Sequence, residues 1–148
     1  MTQTNVRIVE WAGRTESARA LEMQIAALLG RWVPRVTPAG AKLLLARHAR
    51  HFAWHAELWD GVVPVLHDRP EESTVNDASL QAAAAALAAV TEPQAVYDSV
   101  LPPVVAAYRG WSAEATPIAE RPIMRVLDLV LRDLDFDAQE GHDLFSRG

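Results

Sequence analysis

The sequence predicts an all-α chain, a bundle of four amphipathic segments with a long connection between the second and third and a kinked third helix. Three observations predict it. Apolar residues recur at three- and four-residue spacing in four stretches, the signature of one buried helical face. Prolines and capping residues stand at the ends of those stretches. No stretch alternates like a strand or closes like a hairpin. With 148 residues, the chain reads as one domain, large enough to bury a core without staples.

The first segment takes Thr15 as its cap and carries Leu21, Ile25, Leu28, Leu29 and Trp32 on one face before Pro34 ends it. Thr37 as N-cap with Pro38 in the first turn restarts the helix, which should run to about Val63, ahead of Pro64. A polar stretch over 67–77 reads as the long connection. Asp77 then caps an alanine-rich segment over 78–90, interrupted around Pro93. Over 94–111, Val96, Tyr97, Val100, Val104, Tyr108 and Trp111 form a face with Pro102 and Pro103 in its middle, where they should kink it. The last segment starts near Pro122, carries Ile123, Leu127, Val130, Leu131 and Leu134, and takes Gly141 as its stop.

Composition narrows the chemistry. There is no cysteine, so disulfides, thiolate ligands and cysteine nucleophiles are excluded, which fits a cytoplasmic protein. A formal charge of −5 gives no electrostatic reason to bind nucleic acid or an anionic membrane surface. The longest apolar runs fall far short of the roughly 20 residues that a membrane span needs. Arginine outnumbers a single lysine, Lys42, a bias that high-GC bacterial genomes produce. Phosphate-cradling glycine loops, nucleophile elbows and His-Glu-x-x-His pairs are missing.

What stands out is His48, His51 and His55 within eight positions of the second segment. At about 100° per residue, with His48 at zero, His51 falls at about 300° and His55 at about 340°. Leu44, Phe52, Trp59 and Val62 share that stripe, whereas Lys42, Arg50, Glu57 and Asp60 take the opposite side and Arg47 the margin. The histidines therefore face the core. Each must find a hydrogen-bond partner or a metal, because an unpaired buried polar group costs about 1–3 kcal/mol. His48 and His55 stand about 10 Å apart along the axis, so one ion cannot collect all three. On the other segments, Glu22 at the edge of the first apolar face and Asp137 at the flank of the last are the best carboxylate partners. Asp98, Asp128, Asp133, Asp135 and Glu140 read as solvated, and His67 and His142 as surface histidines.

The layout, with His48-Ala49-Arg50-His51 on the second helix, resembles the ferritin-like proteins over roughly residues 15–142. The resemblance implies a glutamate on the first and third helices and a Glu-x-x-His pair on the second and fourth. Glu22 matches the first glutamate and His51 the second-helix histidine, with His48 where a glutamate should stand. The third helix has no match, and Leu134 and Asp137 stand where the fourth-helix pair belongs. No standard di-iron centre is expected, so the family's oxygen chemistry and iron storage are not carried over.

Three readings of the histidines stay open. One is a hydrogen-bonded polar layer in a non-catalytic ligand-binding or assembly protein. A second is a mononuclear metal site drawn from His51, His48, Glu22 and Asp137. In the third, a small enzyme uses His48, His51, His55 and Glu22 on a small organic substrate, with Glu22 orienting His51 as general base and Trp59, Tyr97, Tyr108 and Arg47 lining the pocket. The third is favoured. Exposed faces of such bundles also leave a homodimer open.

Overall fold

A computed structural model describes residues 3–147 apart from residue 38 and residues 65–76, with side chains described from Arg7 onward. The described residues form five α-helices and no strand: α1 (Gln3–Trp32), α2 (Ala39–Asp60), α3 (Ala78–Ala88), α4 (Leu101–Glu114) and α5 (Arg121–Ser146). A short 3-10 turn, Val33–Arg35, follows α1, and a π-helical turn, Val96–Val100, precedes α4. The fold is all-α. Most of the long connection, together with His67, lies outside the described residues.

Each long helix buries a seam whose steps alternate between four and three. In α1 the seam is Trp11, Thr15, Ala18, Glu22, Ile25 and Leu29. In α2 it is Ala41, Leu45, His48, Phe52, His55 and Trp59. Tyr97, Leu101, Val104, Tyr108 and Trp111 continue one seam through the π turn into α4. In α5 it is Ile123, Leu127, Val130, Leu134, Asp137 and Gly141. Such a repeat keeps one stripe against neighbouring helices. The short turn after α1 folds α2 back along it, α5 packs on α2 and α4, and α3 packs on α4 and the π turn.

Several boundaries differ from the sequence expectation. Thr15 does not cap α1: the helix begins at Gln3, and the buried Thr15 hydroxyl donates to the Trp11 carbonyl at 2.8 Å. Threonine can satisfy itself in this way inside a helix, which hides it from a capping argument. Asp77 does cap α3, accepting from the Leu80 amide at 3.0 Å, and its other oxygen accepts from Trp111 Nε1 at 2.8 Å. The alanine-rich segment and the one after it are two helices, α3 and α4. Pro102 and Pro103 sit in the first turn of α4 rather than at mid-helix. The irregularity falls one turn earlier, where the Leu101 amide reaches back to the Val96 carbonyl in a π-type bond.

Gly141 does not stop α5, which runs on to Ser146. It is buried, and a Cβ there would stand 2.3 Å from Cδ1 of the Tyr97 ring. Glycine is needed because the ring lies against its backbone. Gly141→Ala should therefore cost about 1–3 kcal/mol through overpacking, despite alanine's better helix propensity. Urea denaturation checks this; a stabilised variant would mean that the ring moves freely.

Candidate functional site

Apart from Thr15, which bonds within its own helix, the polar residues in the seams gather into two layers. The first is centred on Glu22, which is fully buried on α1. One oxygen of Glu22 accepts from His55 Nδ1 at 2.8 Å, and the other accepts from the Trp59 indole N–H and, at 2.9 Å, from the Tyr108 hydroxyl. The second nitrogen of His55 meets Asp133 Oδ2 at 2.8 Å. His55 thus lies between two carboxylates, from α1 and α5, and both ring nitrogens donate when it is charged. Burial works against that charge, but the hydrogen bonds and charges of Glu22 and Asp133 outweigh it and raise the His55 pKa above 6.5. Burial, and then Glu22, holds the Tyr108 phenol protonated. Every polar group in this layer has a partner.

A raised histidine pKa fixes the sign of the pH effect. The contribution of His55 is complete below the unfolded value of 6.5 and is lost as pH rises through the folded value. The unfolding free energy should fall above pH 6.5 in the wild type and fall less steeply in His55→Gln. Parallel slopes in urea titrations would remove His55 from the account.

The second layer is centred on Asp137, with 1% of its side chain exposed. Its Oδ2 accepts from His51 Nδ1 at 2.7 Å. Its Oδ1 is buried and has no hydrogen-bond partner among the described residues. That oxygen lies 3.4 Å from His48 Nε2, which is itself 3.0 Å from Glu140 Oε1. The other nitrogen of His48 meets the Tyr97 hydroxyl at 2.7 Å. The second oxygen of Glu140 pairs with the Arg47 guanidinium.

Electrostatics here run opposite to the first layer. Burial outweighs Glu140 and Asp137 and lowers the His48 pKa, so the imidazole is held neutral. Burial likewise raises the Asp137 pKa, only partly offset by His48 and His51. Glu140 is lowered: burial opposes its charge, but hydrogen bonds from His48 and Arg47 prevail. Tyr97 is raised by burial and then by Asp137 and Glu140, and stays protonated.

The residues singled out from the sequence are therefore divided. Glu22 faces His55, not His51, and the orienter of His51 is Asp137. The set His51, His48, Glu22 and Asp137 does not converge on one point. His48 and Asp137 instead converge with Glu140, and the three residues' ligand-type atoms lie within 4.8 Å of one another. Tyr97 belongs to His48; Trp59 and Tyr108 belong to Glu22. Arg47 is engaged by Glu140. Asp133 and Glu140, read from the sequence as solvated, both contribute to the layers. They flank the α5 seam, and four- and three-residue steps from Asp137 place them beside it, a signal the run of acids around them obscures. Asp98 and His142 pair at 3.1 Å on the surface.

His51, 32% exposed, also lines a groove of about 710 Å³ along α2 with Arg47, Arg50, Trp54 and Glu57. No helix of the described residues is long and apolar enough to cross a membrane. No family model, curated protein or solved structure matches this chain.

Proposed function

We propose that this chain is a small ferritin-like bundle that holds a single first-row divalent metal ion on His48, Asp137 and Glu140 and acts with it on a small organic substrate. The observation that carries the reading is the buried, unpartnered Asp137 Oδ1, facing the nitrogen and the oxygen of the other two residues. A buried carboxylate oxygen without a donor is costly and calls for a cation. With bonds of about 2.1 Å, neighbouring ligand atoms stand about 3.0 Å apart at a right angle and about 3.4 Å apart at the tetrahedral angle. The spacings around His48 Nε2, 3.0 and 3.4 Å, match both. One imidazole with two carboxylates suits manganese, iron or zinc.

The surrounding residues support the same reading. Neutral His48 is the ligating form, and Tyr97 can accept from its Nδ1–H when Nε2 is engaged. His51 holds Asp137 by its other oxygen, the usual arrangement behind a metal-bound carboxylate. A dimetal centre does not fit. The layer on Glu22 already contains its own cation, His55, and leaves no oxygen of Glu22 spare. A bound divalent ion supplies Lewis acidity and a lowered pKa for coordinated water.

A second reading, a metal-free pocket, is favoured by the His51–Asp137 hydrogen bond, which presents an oriented imidazole at the α2 groove. Equilibrium dialysis against zinc or manganese followed by elemental analysis separates the two. The wild type should take up about one ion per chain, and Asp137→Asn should weaken uptake at least about 100-fold. No uptake by the wild type, or equal uptake by the variant, overturns the metal reading.

A further inference from the structure

We propose that the groove along α2 binds a small organic carboxylate with a flat apolar body and presents it to the layer on Asp137. The inference rests on the proposed metal site for its purpose but on separate residues for its geometry. The groove and that layer share a wall: His51 touches Asp137, Arg47 touches Glu140, and both line the groove. A ligand seated there lies beside the only histidine of the cluster that is open to solvent.

The lining identifies the class of ligand. Arg47 is already neutralised by Glu140, whereas Arg50, exposed on the same stripe, has no hydrogen-bond or ion-pair partner among the described residues. A free guanidinium beside an imidazole edge recognises a carboxylate through its paired donors. Trp54 is 42% exposed, a large apolar surface one helical turn further on and suited to stacking a planar group. Glu57 sits about 10 Å along the axis from Arg50, so a second anionic group at that end is disfavoured. A volume of about 710 Å³ lies within the range of small-molecule sites.

Isothermal titration with benzoate, and with benzyl alcohol as its neutral counterpart, tests the assignment on wild type, Arg50→Gln and Trp54→Ala. Both substituted residues are exposed; far-UV circular dichroism reports intact folding of each variant, and metal uptake, measured in parallel, reports the separate fate of the metal reading. Benzoate should bind the wild type saturably and at least about ten-fold more tightly than benzyl alcohol, the equivalent of one charge-assisted contact. Arg50→Gln should remove that preference, and Trp54→Ala should weaken both probes. No saturable benzoate binding by a metal-competent wild type overturns the groove assignment alone, as does equal binding of the two probes or unchanged binding in both variants. Benzoate binding that follows this pattern in protein that takes up no metal supports the groove and overturns the metal site.

Discussion

Glu22→Ala is expected to destabilise the fold by about 3–5 kcal/mol, a large share of the roughly 5–15 kcal/mol that holds a domain together. The carboxylate takes three donors from two helices: His55 and Trp59 from α2 and Tyr108 from α4. Truncation strands all of them in a site without water access, and it leaves a buried imidazolium with only Asp133 for company. Glu22→Gln separates charge from hydrogen bonding. Its carbonyl can still accept from Trp59 and Tyr108, and its amide can donate to a neutral His55, so it should cost about 1–2 kcal/mol. It should also lose the fall in stability above pH 6.5 that the charged His55 confers. Urea titrations of both variants decide the matter. Equal losses would mean that packing volume, not the donor set, makes Glu22 important.

The same residues show how far the sequence could be read. Helix type and register were legible because four- and three-residue steps persist through α1, α2, α4 and α5. His48 and His55 were visible as polar interruptions of an apolar stripe, and Glu22 and Asp137 as carboxylates at the margins of theirs. What periodicity cannot supply is the axial offset between helices. Glu22 and Asp137 both lay on core faces, but only packing shows that Glu22 meets His55 whereas Asp137 meets His51, so the candidate metal set mixed two layers. Gly141 was misread for a related reason. A helix-ending glycine and a glycine beneath a packed ring look alike until Tyr97 is in place. Glu140 and Asp133 were hidden differently: an acid at the seam's edge reads as solvated unless a buried histidine reaches out to it.

The contrast between the layers sets the last expectation, which has opposite signs in the presence and absence of metal. The Glu22 layer is complete with its own cation. The Asp137 layer holds a carboxylate that burial disfavours and that keeps one oxygen unpaired. Burial disfavours the Asp137 charge by more than His48 and His51 return, so replacing it with a neutral isostere that keeps the His51 contact relieves a desolvation cost. Asp137→Asn keeps a carbonyl for His51 and turns the unpaired oxygen into an amide beside His48 and Glu140. Metal-free Asp137→Asn should therefore be more stable than metal-free wild type, by about 1–2 kcal/mol. Zinc at about 100 times its dissociation constant should stabilise the wild type by about 2.7 kcal/mol and leave the variant unchanged. The order of stability would then reverse on adding metal, as expected of a residue kept for binding rather than folding. Urea titrations with zinc and with chelator measure both signs. A metal-free variant markedly weaker than wild type, with zinc stabilising both alike, would make Asp137 a structural residue and remove the metal site.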